Sequence, residues 1–176
     1  ADGALVVAGY VRAGERVEGV VAVVEPDGSP RWVRRYGGDD DAFLWDVRVD
    51  DEAGLVTAGF AGEPGREDAW MMRLSLDGDV LWDRRWGWSG RDRAWSLDRD
   101  GSGGWYVAAE RQHEGGDIDA WVLRVDADGD TVWTRTVGGP EVQRVYSVAG
   151  LPGGTGTVGV RPQARSDSPR QRASAA

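Results

Sequence analysis

Residues 125–135 read VDADGDTVWTR, a stretch in which three acidic residues and a glycine precede a tryptophan. Two further copies of this pattern are EPDGSPRWVRR at 25–35 and LDGDVLWDRR at 76–85. The tryptophans of the copies, 50 and 51 residues apart, are Trp32, Trp82 and Trp133. A repeat of this length is typical of supersecondary units that stack on one another, so the period decides the class of fold.

The repeat extends beyond the tryptophan. An aromatic column follows it, at Trp45, Trp95 and Tyr146. Each repeat divides into short runs rich in Val, Leu, Trp and Tyr, separated by clusters of Gly, Asp and Pro, which is typical of strands joined by turns. In residues 120–126 the largest apolar side chains fall on one face by the strand period of two. No segment shows a sustained helical stripe.

Four strands every ~50 residues predict a β-propeller, in which each four-stranded antiparallel sheet is one blade. We expect an all-β fold and a partial propeller of about three blades over residues 1–160. With the Asp-Gly hairpin joining the third and fourth strands, the parts are a part-blade at 4–36, complete blades at 42–86 and 93–137, and a part-blade at 144–160. Residues 161–176, rich in Arg, Ser, Pro and Ala, are expected to form a disordered tail.

The run DAWVLRVDADGDTVWTRTVGG, followed by VYSV, resembles the bacterial and archaeal propeller repeats grouped with the quinoprotein-like (PQQ-like) propellers. The resemblance covers roughly residues 4–160 and implies a propeller fold. In that family a motif that locks adjacent blades pairs an Asp and a Thr-Gly with a downstream Trp. Asp126, Gly129 and Trp133 match the motif, while its Thr is missing. Such blades occur in many proteins, so the resemblance does not imply one function.

A calcium loop is the alternative interpretation of the opening stretch. An EF-hand loop needs oxygen ligands at alternate positions, Gly at the sixth and Glu at the twelfth. Asp126, Asp128 and Asp130 fit, but the sixth residue is Thr131 and the twelfth is Val137. Asp-Gly is a favoured pair for a tight hairpin, and a tryptophan that recurs at the repeat period favours packing between blades. We therefore interpret the stretch as a structural hairpin and expect no metal and no cofactor.

Composition disfavours several classes of function. A formal net charge of −9 argues against a nucleic-acid binder. Cysteine is absent, which excludes disulfides, thiolate metal sites and a cysteine nucleophile. No run of about 18 apolar residues occurs, so we expect no membrane span. We expect a fragment of a larger extracytoplasmic repeat protein, secreted or at the cell surface.

Topology predicts where a binding site would lie. In a propeller, the loops between blades and the loops between second and third strands open on one face, and here they vary between copies while the frame repeats. Their candidate site residues are Asp39, Asp40, Asp41, Arg66, Glu67, Arg91, Asp92, Gln112, His113, Glu114 and Gln143. No catalytic residue is assigned, because the sequence lacks a nucleophile-elbow pattern and a lone loop histidine is usually solvated.

Two hypotheses about function follow. The first is a non-catalytic propeller module that binds protein or carbohydrate through its loop faces, with the remaining blades of a parent chain or a second copy as further partners. Two chains joined head to tail, each giving 144–150 to the other's first blade, would close a ring of about six blades. The alternative is part of a quinoprotein-like or glycosidase-like enzyme. An enzyme is disfavoured because the inner strands offer Asp46, Ser96 and Ser147, a poor set for binding a quinone.

Overall fold

The computed structural model describes residues 3–50, 54–113, 116–137, 142–151 and 155–163. These residues form thirteen β-strands and no helix, which confirms the predicted all-β class. Among them there is accordingly no helix that could cross a membrane. Glu114 of the expected site and residues 164–176 of the expected tail lie outside the described residues.

The strands form four antiparallel sheets in chain order, each a simple meander. Sheet 1 contains β1 (Leu5–Ala13), β2 (Arg16–Val24) and β3 (Pro30–Tyr36). Sheet 2 contains β4 (Asp41–Asp50), β5 (Gly54–Gly62), β6 (Asp68–Ser75) and β7 (Val80–Trp86). Sheet 3 contains β8 (Asp92–Arg99), β9 (Trp105–Gln112), β10 (Ile118–Val125) and β11 (Thr131–Val137). Sheet 4 contains β12 (Val142–Leu151) and β13 (Thr155–Gln163).

The buried apolar residues lie between sheets. Side chains along a strand alternate between its two faces. The central strand β5 is buried on both faces, because sheet 2 packs against sheet 1 on one face and sheet 3 on the other. One cluster joins sheets 2 and 3 and includes Met71 and Trp105. A second joins sheets 1 and 2, and a third joins sheets 3 and 4. The core therefore forms only when consecutive repeats stack, as expected of a repeat protein.

Strand register places two kinds of loop at the same end of each sheet. Asp41 at the start of β4 pairs with Gly62 at the end of β5, and Asp92 at the start of β8 pairs with Arg111 near the end of β9. The chain therefore enters each sheet beside the connection between its second and third strands. We name this the loop end; its segments are 37–40, 63–67 and 87–91, together with His113.

The Asp-Gly pairs form hairpins between β2 and β3, β6 and β7, and β10 and β11. In the last of these, Gly129 N donates to the Asp126 carbonyl at 3.1 Å. Gly129 has a φ of +79°, a left-handed conformation that costs glycine little. The Asp126 carboxylate accepts from the backbone N–H groups of Asp128 and Asp130 at 3.0 and 2.9 Å. The carboxylate thus stabilises its own turn.

The hairpins also hold neighbouring sheets together. Trp32 in β3 donates its indole N–H to the carbonyl of Leu76 at 2.9 Å. Trp82 in β7 donates in the same way to the carbonyl of Ala127 at 3.2 Å. These hydrogen bonds join the fourth strand of one repeat to the hairpin of the next repeat.

Candidate functional site

A β-bulge recurs in the first strand of sheets 2, 3 and 4. The strand pairing skips one residue between Leu44 and Asp46, and the equivalent residue in β8 and in β12. The three skipped residues are the aromatic column Trp45, Trp95 and Tyr146. Bulges re-aim a side chain and are frequent beside functional sites. The repeat therefore presents one aromatic ring at an equivalent position in each of sheets 2, 3 and 4.

These rings belong to a continuous series that crosses all four sheets. Tyr10 lies 4.9 Å from Phe43, and Phe43 lies 4.8 Å from Phe60, between ring centroids. Trp95 then links the series onward, at 5.2 Å from Trp45, 5.8 Å from Phe60 and 6.1 Å from Tyr146. Such spacings are within the range of favourable aromatic pairs. We name this set the aromatic ladder: Tyr10, Phe43, Trp45, Phe60, Trp95 and Tyr146.

Half of the ladder is open to solvent. Tyr10 is 53% exposed, Trp45 46% and Tyr146 51%, while Phe60 is buried beneath them. Large aromatic side chains that lie next to one another and remain exposed mark interaction surfaces, whereas a single exposed aromatic residue does not. The ladder is accordingly the leading candidate for a binding surface.

A polar pocket of about 50 Å³ adjoins the ladder at the loop end. We name it the arginine pocket; it is lined by Arg91, Arg93, Glu110, Gln112, Ile118 and Arg144. The guanidinium of Arg93 lies over the Phe60 ring, 4.6 Å from its centroid, which joins the pocket to the ladder. The lining comes from the connection before β8 and from β8, β9, β10 and β12, so it depends on sheets 3 and 4 packing together.

Glu110 is the acidic residue of the pocket and is only 4% exposed. Burial raises the pKa of its carboxyl group, and the charge of Arg144 opposes that shift. The Arg144 Nη1 atom lies 3.4 and 3.5 Å from the two carboxylate oxygens, which is long for a charged pair. Glu110 takes the place that Tyr10 and Phe60 occupy in the other repeats, so sheet 3 has a buried acid where sheets 1 and 2 have aromatic rings.

Two arginines of the pocket keep unused donors. Arg93 donates from Nη2 to Glu67 at 2.7 Å, but its Nε is buried without a hydrogen-bond partner. The Nε of Arg144 is also buried without a partner. Buried donors normally have a hydrogen-bond partner. The Nε groups of these two arginines are therefore donors that the described residues do not use.

The structure separates the acidic run that sequence analysis grouped into the site. Asp39 pairs with Arg16 at 2.7 Å, and Asp40 pairs with Arg85 at 2.5 Å. Asp41 accepts from a backbone N–H instead, that of Val17, at 2.7 Å. Each carboxylate thus has its own partner on sheet 1 or sheet 2. Across the described residues, no group of three metal-ligating side chains occurs.

The structure brings together part of the remaining set. Arg91 donates to Gln112 at 2.8 Å, and both line the arginine pocket. Glu67 reaches the pocket through Arg93, as described above, and Gln143 precedes Arg144 in β12.

The other members lie apart from the pocket. His113 contacts Asp119 at 2.8 Å, and Arg66 is exposed in the connection before β6. Asp92 is fully buried and accepts from Trp88 N at 2.8 Å, and burial raises the pKa of its carboxyl group.

The ladder and four pocket residues, Arg93, Glu110, Ile118 and Arg144, are not among the residues predicted from the sequence. The three charged residues carry a signal in the repeat. Arg93 and Arg144 recur at equivalent places, and Glu110 stands where the two preceding repeats have Tyr10 and Phe60. The aromatic column marks the repeat in the sequence, but the sequence alone does not show that its rings are exposed.

Fold and site together define an all-β repeat protein with one aromatic surface that crosses its sheets. A comparison with protein-family models finds no match, and a comparison with curated proteins finds no similar protein. The resemblance to quinoprotein-like blades therefore stays an expectation from the sequence.

Proposed function

We propose that the four sheets are consecutive blades of a β-propeller arc and that the chain is a non-catalytic module that binds carbohydrate. The observation that carries the proposal is the aromatic ladder, with one ring from each of three bulged strands. Repetition of the bulge supports a surface that binds an extended ligand, because three consecutive blades each add one equivalent ring along it.

Carbohydrate fits the chemistry of this surface. A sugar ring has an apolar C–H face that stacks on Trp or Tyr, and hydroxyl groups at its edge that need hydrogen bonds. Trp45 and Tyr146 offer half-exposed rings, while Arg91 and Gln112 offer polar groups next to the ladder. A few polar groups placed beside apolar walls are typical of small-molecule sites.

The carboxylates near the ladder favour binding over catalysis. A glycoside hydrolase normally needs two carboxyl groups that flank the scissile bond. In the described residues the arginine pocket is lined by one, Glu110. The Asp46 carboxylate on β4 lies outside the pocket lining and already accepts hydrogen bonds from Ser96 Oγ at 3.1 Å and from Leu97 N at 3.0 Å. These bonds join β4 to β8.

The proposal is tested with a glycan array followed by calorimetric titration of the best oligosaccharide. We expect Trp45→Ala and Tyr146→Ala each to weaken binding by about tenfold, since each removes one stacking ring. The matched control is Trp88→Ala, because Trp88 is exposed at the loop end but outside the ladder. Equal affinity of the ladder variants and the control, or no glycan bound at all, would refute the proposal.

A further inference from the structure

We infer that the arginine pocket is a subsite for an oxyanion, the carboxylate or sulfate group of an acidic saccharide. The inference rests on the proposed function, because the sugar ring that carries the oxyanion would stack on the aromatic ladder. Three guanidinium groups face one carboxylate in the pocket lining. The lining alone therefore carries an excess of positive charge in a chain whose net charge is −9.

The ion pairs in and around the pocket leave some of the arginine N–H donors without an acceptor. Glu67 takes one Nη group of Arg93, and Glu110 is held by Arg144 at long distance. The Nε atoms of both arginines stay buried without an acceptor, as described above. An oxyanion supplies several acceptor lone pairs at once, and the planar guanidinium group suits carboxylate and sulfate oxygens.

The buried carboxylate of Glu110 is the reason to regard the pocket as a structured site. Its carboxylate is almost fully buried, and the burial of an acid is costly unless its surroundings are arranged for it. Since burial also raises the pKa of Glu110, the group takes up a proton more readily than an exposed acid. An incoming anion therefore meets a buried acid whose pKa is raised and two arginines whose Nε donors have no hydrogen-bond partner.

Size and position fit a substituent of a sugar on the ladder. A volume of about 50 Å³ exceeds the space needed by one water molecule and accommodates a small polar group. Arg93 connects the two regions directly, because its guanidinium lies over Phe60 in the ladder and lines the pocket as well. Arg91 is exposed, so the pocket wall reaches the solvent at the loop end.

The first experiment uses matched ligands. Calorimetry compares an oligogalacturonide with the same oligosaccharide after reduction of its carboxyl groups, and a sulfated galactan oligosaccharide with its desulfated form. We expect the acidic form to bind at least about tenfold more tightly than its neutral counterpart. Preference for the uronate pair or for the sulfated pair identifies the source of the oxyanion. Equal binding of acidic and neutral forms in both pairs would overturn the inference.

Variants locate the effect in the pocket. Arg144→Gln should remove the preference for the acidic ligand and leave binding of the neutral ligand unchanged. Glu110→Gln should strengthen acidic binding, because it removes a negative charge and keeps the shape; weaker binding would show that Glu110 accepts from sugar hydroxyls instead. Trp45→Ala should weaken acidic and neutral ligands alike, so failure of the pocket and failure of the ladder give different results.

A titration of the pocket without a sugar chain closes the test. Sodium glucuronate and sodium sulfate are added to the full chain, and the arginine Nε–H signals are followed by NMR. We expect the signals of Arg93 and Arg144 to shift, and the shift of Arg93 to be lost in Arg144→Gln. If neither anion shifts these signals, or if the shift of Arg93 persists in Arg144→Gln, the inference is wrong regardless of the oligosaccharide results.

Discussion

Asp100 is an acidic residue with an environment unlike that of a surface acid. It is 1% exposed and accepts from Ser102 N at 2.7 Å, Gly104 N at 2.9 Å and Arg124 Nε at 2.8 Å. Burial acts to raise the pKa of its carboxyl group, but the hydrogen bonds outweigh burial and the pKa is lowered below its usual value. Asp50, at the end of β4, forms the equivalent buried pair with Arg73 at 2.6 Å.

We predict that Asp100→Asn destabilises the protein by about 3–5 kcal/mol at neutral pH, because it leaves the partly buried charge of Arg124 without its partner. Since the folded pKa is lowered, the stability from Asp100 is fully present above the usual pKa and is lost as pH falls through the lowered value. Urea unfolding at several pH values measures this. The deficit should shrink in acid, whereas Asp128→Asn, at an exposed hairpin acid, should cost little at any pH. A deficit that does not change with pH would contradict the assignment.

At the scale of elements, Trp82 and Trp133 occupy equivalent positions in the repeat but have different surroundings. Trp82 bonds across sheets to the hairpin of sheet 3. Trp133 is half-buried, and its ring contacts Tyr106 of its own sheet at 6.0 Å. The sequence predicts packing between blades for the whole column, and Trp133 does pack against the apolar cluster that joins sheets 3 and 4. The hydrogen bond to the next hairpin is formed by Trp32 and Trp82.

We predict that Trp82→Ala costs about 3 kcal/mol, near the lower end for a tryptophan-to-alanine change because the ring is only partly buried. Trp133→Ala is the matched variant and should cost about 1 kcal/mol less, since no hydrogen bond from Trp133 to another sheet is formed among the described residues. Chemical denaturation of both variants makes the comparison. Equal losses would mean that the bond between sheets adds nothing to stability.

Most elements could be predicted from local pattern. The Asp-Gly turns and the period-two runs indicated strands, and the two four-stranded sheets span 41–86 and 92–137 where 42–86 and 93–137 were expected. The bulges could not be predicted, because a bulge is a property of pairing between strands. Without the register of β4 on β5, the column at Trp45 looks like an ordinary strand position.

At the scale of the molecule, sheet 1 leaves an apolar edge. β1 pairs with β2 on one side, and its residues Leu5 and Val7 are 60% and 45% exposed. An open strand edge with apolar side chains favours pairing with another chain. The predicted exchange of 144–150 between two copies would require a change, because β12 pairs with β13 in the structure.

We predict that the chain self-associates through sheet 1. Light scattering coupled to size exclusion should give a mass above 19.0 kDa, and Leu5→Lys with Val7→Lys should shift the mass toward the monomer. The control is Leu81→Lys, because Leu81 is 58% exposed on β7. A stable 19.0 kDa monomer with a cooperative melt would show that the sheets need no partner.

The sequence by itself determined the repeat, the all-β class and the hairpins, because these follow from the spacing of Asp-Gly turns and from the alternation of side chains along a strand. Only the tertiary structure decided which side chains meet. The carboxylates of 39–41 were assigned to one site and take three separate partners. Arg93, Glu110 and Arg144 are 17 or more residues apart and converge in one pocket. The physical reason is that turns and strand periods are local, whereas a pocket between sheets depends on register and stacking, which no single segment contains.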